Sequence, residues 1–389
     1  MKKFEPSQQL KTLAIALTAL GFLGFVIGFI KNPERMWTSY LTAFFYVTCF
    51  ATGGLFFVTI QHVAKAGWSA GVRRLAEGFT AFLPVTLIGS LVLLLGSSKL
   101  YQWTRPEILE ASPLIASKTA YLNLPFMALR LIVFGALAII FAKLMVGNSL
   151  KQDQNGDESL TTKNTAFGVA YTLIFAITFS VFSVDLLMSL LPTWYSTIYG
   201  IYTFAGSIQS TFALLILVML YMKNKGFITG YVTIEHVHDV AKFLKGFTVF
   251  WAYIAFSQFM LIWYANIPEE TEFYLMRAQG GWMVISMSLL ILKFIVPFLA
   301  LLPRGAKRNE SHLVLVCALV LIMQYVDIYW LVYPTFFDNQ VVFGFYEVAL
   351  LAGFVGIFML TVMKFYQTHS LVAIKDPRMH ESVNHHVSY

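Results

Sequence analysis

Charge is scarce in this sequence of 389 residues: Asp, Glu, Lys and Arg together make up 12% of it, about half the share usual in a soluble domain. Cysteine is scarcer still. Cys49 and Cys317 are the two thiols, and both lie inside apolar runs. That excludes a disulfide framework, an iron–sulfur cluster or a covalently attached haem, each of which needs clustered thiols. Histidine is missing from the middle of every long apolar run, so a haem b held between two imidazoles has no ligands here. Inside–outside alternation over ten-residue segments is also missing, which argues against a transmembrane β-barrel. No polar stretch is large enough for a soluble domain. No small-residue cleavage motif follows the start Met1-Lys2-Lys3-Phe4-Glu5-Pro6, so the first apolar stretch reads as a retained span and not as a signal peptide.

What is present is apolar: 58% of residues are hydrophobic and 36 are Phe. A helix needs about 20 apolar residues to cross a ~30 Å hydrocarbon core. Ten runs qualify: Thr12–Ile30, Trp37–Ile60, Phe79–Gly96, Leu124–Val146, Ala166–Leu191, Thr197–Met222, Phe247–Ile267, Gly281–Leu302, Leu313–Tyr333 and Val341–Met363. The expectation is an all-α integral membrane protein of about ten transmembrane helices, forming a single membrane domain over residues 1–389. Trp37, Trp68, Trp194, Trp282 and Trp330 fall near predicted span ends, where amphipathic rings favour the headgroup layer. Of the 27 Lys and Arg residues, 19 lie in the two tails and the loops after spans 2, 4, 6 and 8. By the positive-inside rule both termini are expected in the cytoplasm. The net charge of +7 comes from these short loops, so it points to solvated loop ends and not to a nucleic-acid partner. The longest connections are Ser97–Asn123 outside, and Gly147–Thr165 and Lys223–Lys245 inside. The second is polar and rich in Gly and Asn, and reads as a flexible connector.

Spans 2–5 and 6–9 share four short matches in the same order. Trp37-Thr38-Ser39 resembles Trp194-Tyr195-Ser196, and Gly78-Phe79-Thr80-Ala81-Phe82 resembles Gly246-Phe247-Thr248-Val249-Phe250. Arg130-Leu131-Ile132-Val133 parallels Lys293-Phe294-Ile295-Val296. Val184-Asp185 with Pro192-Thr193 recurs, at identical spacing, as Val326-Asp327 with Pro334-Thr335. A repeat of four spans keeps one orientation, unlike the inverted repeats of many transporters. The expected architecture is therefore two parallel-repeat four-helix bundles, 37–193 and 194–335, with spans 1 and 10 peripheral.

Ionisable residues inside spans are costly and are functional candidates by default. Here they are Arg130, Asp185, Lys293, Asp327 and Glu347. The first two, Asp327 and Glu347 lie roughly 9 Å below the outer ends of their predicted spans, and Lys293 about 18 Å below. Arg130 is expected to pair with Asp185 and Lys293 with Asp327, each pair a candidate proton relay or quinol pocket. The competing reading makes them buried ion pairs that fix helix register. Glu347 could equally snorkel to the outer interface. His62 and Glu77, at the inner ends of spans 2 and 3, are candidates for the mouth of an inner proton path, or else solvated helix-end residues. His236 and His238 with Glu235 are too few for a metal site. Ser207, Gln209, Ser210, Thr211 and Gln324 make spans 6 and 9 polar, either along a hydrated path or as hydrogen-bonding glue between helices.

The stretch from Asp185 through Leu-Leu-Met-Ser-Leu-Leu-Pro-Thr-Trp-Tyr to Ser196, and that from Gln258 through Phe-Met-Leu-Ile-Trp-Tyr-Ala-Asn-Ile-Pro-Glu to Glu270, resemble the NrfD-like, polysulfide-reductase-type membrane subunits. The likeness is greatest to the ActF type of bacterial alternative complex III. It implies a multi-pass subunit of the bacterial inner membrane in a respiratory quinol-oxidising complex that takes part in electron transport and proton translocation. It further implies an NrfD-like sibling of the ActC type, iron–sulfur and multihaem cytochrome c partners that carry the redox centres, and surrounding membrane lipids. Menaquinol or another quinol is then the possible small-molecule ligand, while the chain by itself holds no redox cofactor. A structural scaffold and a stand-alone secondary transporter are the rival readings.

Overall fold

The computed structural model describes residues 3–337 and 340–386. Among them there is no strand, and ten helices are long and apolar enough to cross a membrane. The chain is an all-α, multi-pass membrane protein. The ten are α1 (Gln8–Lys31), α2 (Pro33–Val63), α3 (Gly67–Leu100), α4 (Leu124–Asn155), α5 (Ser159–Leu186), α6 (Tyr199–Asn224), α7 (Ile234–Ala265), α8 (Gly280–Ala300), α9 (Glu310–Val332) and α10 (Phe345–Thr368). Two of them are interrupted. α3 tightens to 3-10 geometry at Thr80–Phe82 and Leu94–Gly96, and α8 widens to a π-helix over Leu289–Ile295.

Helices α2–α5 pack together, as do α6–α9, and α2 and α6 meet between the two groups. Small side chains allow that meeting. A Cβ on Gly53 would lie 2.0 Å from Thr211 Oγ1, and the hydroxyls of Ser207 and Thr211 both donate to the Cys49 carbonyl, each at 3.2 Å. The polar residues of α6 therefore bond helix to helix, where an unsatisfied hydroxyl in hydrocarbon would be costly. On the flank, α1 and α10 pair along Gly21, Gly24, Gly353 and Gly356. A Cβ on Gly21 would fall 2.2 Å from Gly353 Cα. The opposite face of α1 exposes Phe22, Phe29 and Ile30, as lipid contact requires.

Three expectations need correction. Residues 147–165 are not a flexible connector: α4 runs on to Asn155 and α5 starts at Ser159. Gly156 closes α4 in the left-handed region (φ 71°), which glycine enters without strain. Asn148 to Asn164 (2.9 Å) and Gln152 to Thr161 (2.8 Å) zip the two polar ends together. The tryptophans do not form a headgroup belt. Trp37, Trp194, Trp282 and Trp330 are buried and Trp68 is half-buried. The indole N–H groups of Trp194, Trp282 and Trp330 donate to the Glu270 carbonyl, the Phe337 carbonyl and Ser286 Oγ. Internal acceptors at helix ends thus take donors that would otherwise seek the interface. Finally, α10 begins at Phe345, four residues later than expected from hydropathy, which puts Glu347 in its first turn.

Residues 369–386 fold back across the face where α2 ends and α3 and α7 begin. Ser382 Oγ accepts from the Gly71 amide (3.0 Å), donates to the Trp68 carbonyl (2.8 Å) and lies 3.0 Å from His236 Nε2. His385 Nε2 lies 2.6 Å from Asp239 Oδ2. Phe4 packs edge-on against Phe227 and Tyr366, so both described ends of the chain lie on this same face.

Candidate functional site

Lys293 sits in the π-helical stretch of α8, fully buried. A π-turn inserts an extra residue per turn and redirects the side chains after it, and such turns concentrate at functional sites. Here it aims the ammonium at α9. Lys293 Nζ donates to Gln324 Oε1 at 2.6 Å and to Asp327 Oδ2, and it stands 4.4 Å from the centre of the Trp251 ring. Asp327 takes two further donors, Tyr202 O–H (2.5 Å) from α6 and Trp251 Nε1–H (3.2 Å) from α7. Gln209 of α6 donates to Thr248 and to the Lys293 carbonyl. All four helices of the second group therefore meet at one neutral ammonium–carboxylate pair. Its lone pairs are taken up by neutral donors, the condition under which a buried pair is tolerated.

Beside this network lies a cavity of about 520 Å³ lined by Tyr202, Trp251, Tyr274, Arg277, Ser286 and Trp330, among others. Its remaining wall includes Phe256 and Leu290, which are 61% and 47% exposed, so it opens toward the lipid-facing surface. Apolar walls with a few convergent polar groups are the usual make-up of a small-molecule site.

The first group of helices holds a different arrangement. Arg130 of α4 grips Asp185 of α5 with two bonds, Nε to Oδ2 (2.7 Å) and Nη2 to Oδ1 (2.9 Å). Its guanidinium stacks on Tyr121 and Phe126, 3.9 and 4.3 Å from the ring centres. Planar two-point pairing of this kind fixes geometry firmly. Neither residue lines the cavity described above.

Glu347 does not snorkel. It is fully buried, and Arg35 of α2 holds both its oxygens at 2.8 Å. Tyr333 O–H and the Gly344 amide donate to it as well, at 2.9 and 2.8 Å. It is the tie that joins the start of α10 to the start of α2 and the end of α9. His62 and Glu77 are not solvated either: they are 1% and 0% exposed. Glu77 lies 2.7 Å from Arg74 and 3.9 Å from Arg73. Arg74 reaches Asp153 at 2.9 Å, and Arg73 pairs with Asp376 of the folded-back C-terminal segment. His62 Nε2 is 3.5 Å from Asn164, and its Nδ1 has no hydrogen-bond partner among the described residues. The two residues thus belong to a buried ionic cluster and not to a solvated helix end. His236 serves structure, its Nδ1 accepting from the Thr233 amide that caps α7. No group of three or more metal-ligating side chains occurs among the described residues.

Sequence reasoning missed Arg277, Tyr202, Trp251 and Arg35 as site residues. Arg277 and Arg35 counted only as outer-loop cations, and an aromatic residue within a span carries no mark of what its polar tip touches. One signal was available: Arg277 is the one cation in the outer connection between α7 and α8. No known family model matches the chain, and a search of curated proteins finds none that match it.

Proposed function

We propose that this chain is a membrane subunit of a respiratory quinol-oxidising complex in a bacterial inner membrane, with both termini cytoplasmic. In this reading it lends a quinol pocket and a proton acceptor, while haem and iron–sulfur subunits carry the electrons. The observation that supports it best is the lipid-open aromatic cavity set against the Lys293–Asp327 pair. A quinol is a lipid-soluble aromatic ring that sheds two protons as two electrons leave. It suits a cavity of this size, and Asp327, bonded to the lining residues Tyr202 and Trp251, is a carboxylate acceptor one hydrogen bond behind the wall. The electrons have to pass to an iron–sulfur or haem centre of a partner subunit. The NrfD-like resemblance of the Asp185–Ser196 and Gln258–Glu270 stretches points to the same class of complex, with an ActC-type sibling beside this chain.

The test is affinity purification of the tagged chain under mild detergent, followed by assay of quinol oxidation and proton release per assembled complex. Redox subunits should accompany the wild-type chain, and Lys293→Met with Asp327→Asn, which removes both charges of the buried pair, should assemble but lose most turnover. Recovery of the chain alone, or full turnover in that double variant, overturns the reading and favours a scaffold.

A further inference from the structure

Arg277 closes the short helix Pro268–Arg277 and is 1% exposed. Among the described residues no carboxylate pairs with it. Its three nitrogens each meet one backbone carbonyl: Nε the Trp330 carbonyl (3.0 Å), Nη1 the Phe273 carbonyl (2.8 Å) and Nη2 the Leu331 carbonyl (2.8 Å). A guanidinium carries five N–H groups, so two remain, and Arg277 is one of the residues that line the cavity. Phe273 and Trp330 hold its plane, 3.5 and 4.9 Å from their ring centres. Burial lowers its pKa to about 9, which leaves it charged at neutral pH. A buried cation held in place by neutral carbonyls, with donors to spare on an apolar cavity, is a poor structural ending. Carbonyls could cap the last turn of α9 against water or a neutral donor without the desolvation cost of a charge. The same geometry is well suited to an electron-rich oxygen brought in by a ligand.

Resting on the proposed quinol reading, we infer that Arg277 is the headgroup anchor of this cavity, donating its free N–H groups to a ring oxygen of a bound quinone or quinol. The isoprenoid tail leaves past Phe256 and Leu290 into the bilayer, and Trp251 and Trp330 flank the ring. The charged donor then sets specificity: it selects an oxygenated ring over a plain hydrocarbon or an acyl chain of similar bulk.

The test uses the full-length chain in detergent and binding of a tritium-labelled naphthoquinone with a short isoprenoid tail. Competition by the same ring and tail without the ring oxygens should be weaker by about tenfold to a hundredfold, the worth of a hydrogen bond to a charged group. Arg277→Gln should weaken the labelled probe over the same range at an unchanged unfolding temperature. Ala255→Trp, which fills the cavity and leaves Arg277 in place, should abolish binding. If the deoxygenated competitor matches the quinone, or folded Arg277→Gln binds as wild type while Ala255→Trp does not bind, Arg277 is no anchor although the cavity reading stands. If the probe fails to bind the wild-type chain, or binds Ala255→Trp equally well, the quinol reading of the cavity fails and the inference with it. Should Arg277→Gln not fold, the competition on the wild-type chain decides alone.

Discussion

Asp327 and Asp185 occupy matching places in the two halves of the chain, yet their surroundings differ in kind. Asp327 lies in a four-helix network beside a cavity, and its oxygens are shared among an ammonium, a phenol and an indole. Asp185 is locked by one two-point arginine grip. Removing one member of a buried pair leaves an uncompensated charge and costs about 3–5 kcal/mol, whereas removing both costs far less. Lys293→Met alone should therefore lower the unfolding temperature and the yield of assembled protein. Lys293→Met with Asp327→Leu should restore most of that stability but not the quinol oxidation proposed for the complex. For Arg130→Met with Asp185→Leu, stability and turnover per assembled complex should both return. Thermal unfolding in detergent and turnover normalised to assembled complex decide the matter. Failed turnover in the second double variant would give Asp185 a direct role that its geometry does not suggest.

At the scale of elements, the pairing of α1 with α10 depends on glycine. In lipid no hydrophobic force drives two apolar helices together, so contact must come from close backbone packing. A Cβ on Gly353 would stand 2.7 Å from Gly21 Cα, with backbone on both sides. Gly353→Leu cannot be absorbed by a flexible side chain, and overpacking of this kind costs about 1–3 kcal/mol. The expected result is a lower unfolding temperature in detergent, by the equivalent of about 1–3 kcal/mol. An unchanged unfolding temperature would show that other contacts hold α1. The π-turn in α8 has the opposite character. It carries Lys293, whose ammonium reaches Gln324 and Asp327 of α9.

For the whole molecule, the arrangement of Lys and Arg predicts which face is cytoplasmic, and the folded-back C-terminal segment lies on that face together with Phe4. Cys49 and Cys317 are 1% and 0% exposed, so the wild-type chain should be inert to a membrane-impermeant maleimide. Lys225→Cys, in the exposed turn after α6, should label in inverted membrane vesicles and not in intact cells. Labelling in intact cells would reverse the orientation. The C-terminal segment bridges both helix groups, reaching Arg73 and Gly71 in one and His236 and Asp239 in the other.

The sequence by itself determined the number and approximate place of the spans, because a lipid solvent demands long uninterrupted apolar runs and marks their ends with charge. It also pointed to Arg130, Asp185, Lys293 and Asp327, since an ionisable residue inside such a run stands out against its neighbours. Tertiary structure alone decided what each of these touches. Glu347 needed Arg35, a residue more than 300 positions away, to become a tie and not an interfacial charge. His62 and Glu77 became buried beside Asn164, Arg73 and Arg74, and Asp376 of the distant tail pairs with that same Arg73. Tyr202, Trp251 and Arg277 were hidden among many aromatic and loop residues of the same types, and only the packing of α6 to α9 gathers them on one cavity. Hydropathy is a property of a window of chain, and so can be read locally. A site is a set of side-chain directions from several helices, and those are settled by packing, by one widened turn in α8 and by where the carbonyls of α9 end.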